Sequence, residues 1–320
     1  MKAAVHEKYG PPSVLSIKEL ATPAPKENEV LVQVHAATVN RTDCARLSAK
    51  PFIMRFFTGL FSPKNPIPGT DFAGKIAAVG SGVSALKVGD DVFGFDDKGL
   101  SSHAQFLTIA QDDAMTTMPE NASYEKAASS LEGVHYAYNF INKVALVPGQ
   151  KVLVNGASGA IGSAMVQLLK HFDANVTAVC NTKNIELIKS IGAQTVIDYT
   201  AVDFTSFDER YHFVFDAVGK SSFAKCKPLL EPGGIYISSE LGRMSQNIFL
   251  ALFTPLFGGK KVIFPIPTDP KNSVLFIKKL IANGRFDAVI DRQYALEEIS
   301  AAFEYVETGQ KTGNVVLSIE

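Results

Sequence analysis

Lys151-Val152-Leu153-Val154-Asn155 runs directly into Gly156-Ala157-Ser158-Gly159-Ala160-Ile161-Gly162, and an amphipathic stretch follows. The first five residues read as a buried strand. Beyond the glycines, Ile161, Ala164, Met165, Leu168, Leu169 and Phe172 recur at helical spacing, one apolar stripe to lie on a sheet. The glycines have separate tasks. One makes the tight turn, one lets backbone approach a pyrophosphate, and Gly162 lets the helix pack close to the strand. The anion then rests on the N–H groups of the helix start. Strand, glycine turn and helix in this order predict a dinucleotide site.

Outward from this point the chain alternates. Strands are expected at 151–155, 175–180, 195–199, 213–218, 235–239 and 261–264, with helical stretches between them. Six strands joined this way imply an α/β, doubly wound parallel sheet of the Rossmann type. The first 120 residues follow another grammar. Val30, Val32, Val34 and Ala36 alternate, 72–79 reads as a further strand, and glycine and proline clusters punctuate the rest. A turn-rich β-barrel is expected there. Helices near 273–283 and 296–308 and a last strand at 313–319 close the chain, and that strand is placed to return to the barrel. The expected division is therefore 1–122 with 268–320, around an inserted unit 123–267.

Composition limits the function. At about 150 residues per domain, 320 residues make two domains with real cores. Thirty-one Lys and Arg against 32 Asp and Glu leave a formal charge of −1, which gives no footprint for nucleic acid. The start has no apolar signal region, and the run Ile248 to Phe257 is about half of the roughly 20 residues that a membrane span needs. Three widely spaced cysteines, Cys44, Cys180 and Cys226, argue against a disulfide framework and for a reducing, cytoplasmic setting. They also form no CxxC pair, and the histidines fall singly, so no zinc site is expected.

The end of the second strand reads on the choice of nucleotide. NAD enzymes carry an acid there for the ribose 2′-hydroxyl. This chain has Cys180-Asn181-Thr182-Lys183 instead, a hydroxyl and an ammonium with no acid beside them, which suits the 2′-phosphate of NADPH.

Several spaced motifs carry a resemblance over nearly the whole length: Met1 to Val5, Gly69 to Gly74, Val79 to Val83, Val88 to Val92, Pro148-Gly149, the Gly156 loop, Ile197 to Tyr199, Asp216 to Gly219 and Gly313 to Leu317. In these the chain resembles the medium-chain dehydrogenase/reductase superfamily, in its zinc-free quinone oxidoreductase-like branch. The resemblance implies a GroES-like barrel carrying the substrate site, a Rossmann cofactor domain and a homodimer paired near Val262. It also implies hydride transfer from NADPH to quinones or α,β-unsaturated carbonyls. Zinc-bearing members place a Cys before Arg/Gly-Ser/Thr-Asp and a His in Gly-His-Glu. Here Asn40 precedes Arg41-Thr42-Asp43, and Gly69-Thr70-Asp71 stands for the second. By the same resemblance Tyr199 lies by the adenine or 2′-phosphate beside Asn181, Thr182 and Lys183. Val218, Gly219, Ser239 and Leu241 line the nicotinamide side, and Asn40 reaches the nicotinamide ribose or the substrate.

The proton has several candidate sources. His135 stands where many relatives have a threonine, and its ordinary pKa near neutrality suits a general acid. It equally suits a hydrogen bond to the cofactor amide, or packing within its helix. Thr42 and Tyr136 are further relay candidates beside bulk water. Two apolar stretches, one from Phe52 through Ile53 and Phe57 to Phe61 and the other Ile248 to Phe257, read either as core or interface packing or as walls for an apolar substrate. Zinc-free alcohol or aldehyde redox chemistry, and cofactor binding with little catalysis, are the alternative functions.

Overall fold

The structure is a computed structural model that describes residues 1–52 and 54–320, with Phe57 by its backbone alone. The chain forms two compact units, Met1–Glu132 with Asp269–Glu320, and Gly133–Thr268.

The first stretch carries β1 (Lys2–Val5), β2 (Ser16–Glu19), β3 (Glu29–Val39), helices α1 (Arg41–Ser48) and α2 (Met54–Thr58), β4 (Asp71–Val79), β5 (Asp91–Phe95), β6 (Phe106–Ala110), β7 (Met115–Thr117), α3 (Tyr124–Ser129) and α4 (Glu132–Ile141). Next come β8 (Lys151–Asn155), α5 (Ala160–His171), β9 (Asn175–Cys180), α6 (Ile185–Ile191), β10 (Thr195–Asp198), β11 (Tyr211–Asp216), α7 (Phe223–Cys226), β12 (Leu230–Ser238), α8 (Gln246–Phe253) and β13 (Lys261–Ile263). Last are α9 (Pro270–Ala282), β14 (Ile290–Ala295), α10 (Ile299–Glu307) and β15 (Asn314–Ser318).

In the first unit the sheet order is β14-β15-β3-β4-β5-β7, with β6 also on β3. β3 serves two partners along one edge. Its first half pairs β6 and its second half pairs β15, antiparallel, with Val315 opposite Val39. Its register against β4 shifts twice, and such irregularities bend a strand. Val30, Val32 and Val34 point inward onto Phe72, Ile76, Leu107, Phe303 and Leu317. The alternation read from the sequence is this inner face. The first joint lies at 132/133 rather than 122/123, because α3 packs on β3 and β4 and so stays with the first unit.

In the second unit the order β10-β9-β8-β11-β12-β13 is wholly parallel. Winding reverses between β8 and β11, and the crevice beyond the carboxyl ends of those strands is where such sheets bind ligands. Leu153, Val179, Val214, Tyr236 and Val262 form its core.

Most side chains of the apolar stretches lie outside the core, while Leu250 and Ala251 pack on the core of the second unit. Phe52, Phe56 and Phe61 are exposed in the first unit, and Phe249, Leu252, Phe253, Leu256 and Phe257 in the second, Phe257 to 84%. Ile53 and the Phe57 side chain lie outside the described residues. Both runs fold as short helical pieces too brief to bury all their faces, which composition alone does not reveal.

Candidate functional site

The glycine loop is built as its sequence dictates. Gly156 takes φ +80°, and a Cβ there would stand 2.7 Å from Val218. At Gly162 a Cβ would lie 2.1 Å from the Gly156 carbonyl oxygen, so nothing larger than glycine allows α5 to approach β8 this closely. Gly159 caps α5 in an extended conformation, and Ser158, Gly159, Ala160 and Ile161 remain half-buried at the loop surface. The first-turn N–H groups lack intrahelical acceptors and sit at the positive end of the helix dipole. They form an anion cradle that fits a pyrophosphate. Gly133, at the start of α4, abuts the Ala160 carbonyl, where a Cβ would come within 2.9 Å.

Asp216 orders the neighbouring loop. Its carboxylate accepts from Asn155 Nδ2 (3.0 Å), the Val218, Gly219 and Ser221 amides (3.3, 2.9 and 3.2 Å) and the Tyr236 hydroxyl (2.9 Å). Gly219 in turn lies against Glu240, and the Ser239 amide reaches the Asp216 carbonyl. Val218, Gly219, Ser239 and Leu241, all half-buried, therefore follow, like Gly156, the carboxyl ends of the central strands. Asp216 was visible only as part of a motif. Its role as the common acceptor needed the fold.

At the ends of β9 and β10 the structure brings Asn181, Thr182 and Tyr199 together, the Tyr199 amide donating to the Cys180 carbonyl. Asn181 accepts from Asn184, and Thr182 donates to Asp198 at 2.6 Å. Thr200 also donates to Asp198, through its amide and its hydroxyl. The corner is thus not free of acid, as the linear sequence had suggested. Parallel register sets Asp198 opposite Cys180, fifteen or more residues from where a strand-end acid is sought. The Thr182 and Thr200 hydrogen bonds hold its carboxyl below the usual range. A cavity of about 340 Å³ adjoins this corner, lined by Tyr199, Thr200, Ser221 and two cations the sequence had not singled out, Lys220 and Lys225.

In the first unit, Asn40 and Thr42 converge on a residue that sequence reasoning missed. Thr42 Oγ1 donates to Glu132 Oε1 at 2.7 Å, while Thr70 Oγ1 and Asn40 Nδ2 donate to Oε2 at 2.7 and 3.2 Å. Asn40 Nδ2 also donates to Thr38 (2.6 Å), and Thr38 passes its amide and hydroxyl to Asp71. Asp43 accepts from the Asn40 amide at 2.9 Å. Asn40, Asp43, Thr70, Asp71 and Glu132 are all buried, and Thr42 is half-buried. Burial drives the Asp71 carboxyl well up. It pushes Glu132 up to about 7, with the nearby Asp43 adding to the rise, and Asp43 itself up to about 7. Lys311 faces this group, held down at about 8 by burial against the pull of Glu132. The signal for Glu132 was an acid at the start of a helix otherwise apolar on one side.

His135 lies in the second unit on α4, 2% exposed, its ring edge-on to Tyr136. Its carbonyl accepts from Asn139.

A family model described as "Alcohol dehydrogenase GroES-like domain" matches residues 26–118, and one described as "Zinc-binding dehydrogenase" matches 191–317. The 2-methylene-furan-3-one reductase of Solanum lycopersicum is 32% identical, over 99% of this chain and 79% of the relative. The chain belongs to the medium-chain dehydrogenase/reductase superfamily, in its zinc-free quinone oxidoreductase branch. Within that family, the chloroplastic NADPH-dependent alkenal/one oxidoreductase of Arabidopsis thaliana is 30% identical over the same shares. The quinone oxidoreductase structure from Coxiella burnetii has the same fold, with a TM-score of 0.88 at 24% identity over 100% of this chain and 99% of that one. The zinc of the second family description does not fit here. The positions that hold it in zinc-bearing members present an amide (Asn40) and a hydroxyl (Thr70), not thiolate or imidazole.

Proposed function

We propose that this chain passes hydride from NADPH to quinones or α,β-unsaturated carbonyls without zinc. It is an NAD(P)H-dependent oxidoreductase. The observation that carries the reading is the Gly156–Gly162 cradle at the start of α5, completed by the Asp216-ordered loop at the carboxyl end of the adjacent strand. The names of the Solanum lycopersicum and Arabidopsis thaliana relatives, a 2-methylene-furan-3-one reductase and an NADPH-dependent alkenal/one oxidoreductase, support the acceptor class.

When bound, the cofactor supplies the hydride. The chain's own residues do the rest. Ser158 to Gly162 hold the pyrophosphate, Asn181, Thr182, Lys183 and Tyr199 meet the adenosine end, and Val218, Gly219, Ser239 and Leu241 form the shelf for the nicotinamide. Asn40 and Thr42 of the first unit, and His135 of the second, are the catalytic candidates. Lys183, with Lys220 and Lys225 along the adjoining cavity, offsets the Asp198 charge and favours the 2′-phosphate of NADPH.

Two further parts complete the reading. A homodimer is supported by the exposed apolar face of α8 beside the edge strand β13. A cytoplasmic setting is supported by three buried, free cysteines. No helix among the described residues is long and apolar enough to cross a membrane.

The test follows NADPH and NADH oxidation with a panel of quinones, enals, enones and simple aldehydes. Turnover of the first three classes with NADPH is expected. NADPH binding without turnover on any acceptor overturns the reading in favour of a binding protein, and turnover of aldehydes alone favours carbonyl redox.

A further inference from the structure

We infer that Thr42 and Glu132 form a proton relay, Thr42 at its outer end and Glu132 as its buried store, that delivers the proton half of the reduction. The inference rests on the reductase reading above and says where its second hydrogen comes from.

Geometry carries it. Glu132 Oε2 already accepts from two donors, Thr70 and Asn40. Among the described residues its one remaining hydrogen-bond partner is the Thr42 hydroxyl, 2.7 Å from Oε1. A neutral Glu132 therefore carries its proton on Oε1, facing Thr42. A hydroxyl has one hydrogen and two lone pairs, so Thr42 answers to the state of the acid. Beside the carboxylate it donates inward. Beside the carboxylic acid it accepts from Oε1, and its own hydrogen turns outward. Thr42 is half-buried while Glu132 is buried, so the hydroxyl is the end of the pair that meets the outside.

The step balances. As hydride bonds to the β-carbon of an enone, the C=C electron pair moves toward the carbonyl and leaves an enolate. The Thr42 O–H bond breaks as a C–H bond forms at the α-carbon. Glu132 Oε1–H breaks in turn and restores the Thr42 hydroxyl. The acceptor has gained one hydride and one proton, and Glu132 is left as the carboxylate. Water then reprotonates it through the same hydroxyl, in reverse. Around Glu132 stand the carboxyl groups of Asp43 and Asp71 and the Lys311 ammonium, with Arg46 near Asp43 and Arg41 near Lys311. Burial first, and the Asp43 charge after it, keep a proton on Glu132 around neutrality, where a general acid is useful.

The experiment measures kcat for an enone at saturating NADPH across pH in the wild type and in Glu132→Gln, Thr42→Val and Thr42→Ser. The wild type is expected to lose kcat as pH rises through about 7. Glu132→Gln and Thr42→Val should lose about 100-fold in kcat and that pH limb, with NADPH affinity unchanged, and Thr42→Ser should recover most of both. A readout without turnover accompanies this: the infrared difference between wild type and Glu132→Gln near neutrality, which should show the loss of one protonated-carboxyl band beside those of Asp71 and Asp43. If Glu132→Gln does not fold, the two Thr42 variants decide. Wild-type kcat and an unchanged pH limb in Glu132→Gln or Thr42→Val overturn the relay alone. A wild type that binds NADPH but reduces neither enones nor quinones overturns the parent reading and the relay together.

Discussion

The Thr182 hydroxyl donates to the Asp198 carboxylate across 2.6 Å, tying the end of β9 to the end of β10. An acid therefore stands at the corner proposed for the adenosine end of the cofactor, one strand away from the place where NAD enzymes carry theirs. Its charge opposes a 2′-phosphate. Asp198→Asn keeps an acceptor for Thr182 and removes that charge. It should raise the ratio of kcat/KM for NADPH over NADH severalfold, most clearly at low salt. An unmoved ratio would place the 2′-phosphate away from this corner.

Gly162→Ala drives a methyl against the Gly156 carbonyl oxygen at 2.1 Å, a backbone atom with no rotamer to yield. The helix or the loop must shift. Overpacking of this kind costs about 1–3 kcal/mol, so the melting temperature should fall by several degrees. Calorimetry with and without NADPH separates the two effects, since the ligand should stabilise the variant far less than the wild type.

Asp216→Ala leaves the Gly219 and Ser221 amides, Asn155 and Tyr236 without their acceptor. Each buried donor left unsatisfied costs about 1–3 kcal/mol. Urea unfolding should show a loss of several kcal/mol, and NADPH KM should rise because the Val218–Gly219 shelf loosens. Tyr236→Phe removes one of those donors and should cost only about 1 kcal/mol.

Stability against pH carries a signature of Glu132. Its folded pKa, about 7, lies above the ordinary 4.5, so its contribution is complete below 4.5 and is lost as pH rises to about 7. His103, buried and held down to about 4 from 6.5, acts in the opposite sense: its contribution is complete above 6.5 and is lost as pH falls toward 4. The difference in melting temperature between wild type and Glu132→Gln isolates the first group. It should move against the wild type between pH 4.5 and 7 and stay level above. A difference that is flat throughout contradicts a raised Glu132.

The outer face of α8 offers a separate test. Leu252→Glu with Phe253→Glu places charge on side chains that are 64% and 54% exposed, so the fold should tolerate both. Light scattering should show the wild type as a dimer and the double variant as a monomer. A variant that stays dimeric moves the interface elsewhere.

What could be read from the chain was whatever depends on local period and turn chemistry. The strand 151–155, the stripe from Ile161 to Phe172 and the glycines between them encode the nucleotide unit almost residue by residue. The return of the last strand to the first unit was also legible, since 313–319 had no place in the parallel order. Asp198 was not, because it reaches Thr182 through the register of two strands rather than through spacing. Glu132 was not, because its partners Asn40, Thr42 and Thr70 lie 62 to 92 residues away in sequence and meet it only in three dimensions. The exposure of 248–257 was hidden for another reason. Composition counts apolar side chains but does not say which faces are covered.

β15 lies against β3, with Val315 opposite Val39. The ribosome makes β3 long before β15. By the time residue 268 has left the exit tunnel, the parallel sheet owns all six of its strands. The first unit at that moment still has an open flank on β3, where β15 and then β14 belong. Synthesis order thus makes the unit that holds β3 the later of the two to finish folding. The nascent protein holds a complete nucleotide fold before it owns a complete home for Asn40, Thr42 and Glu132.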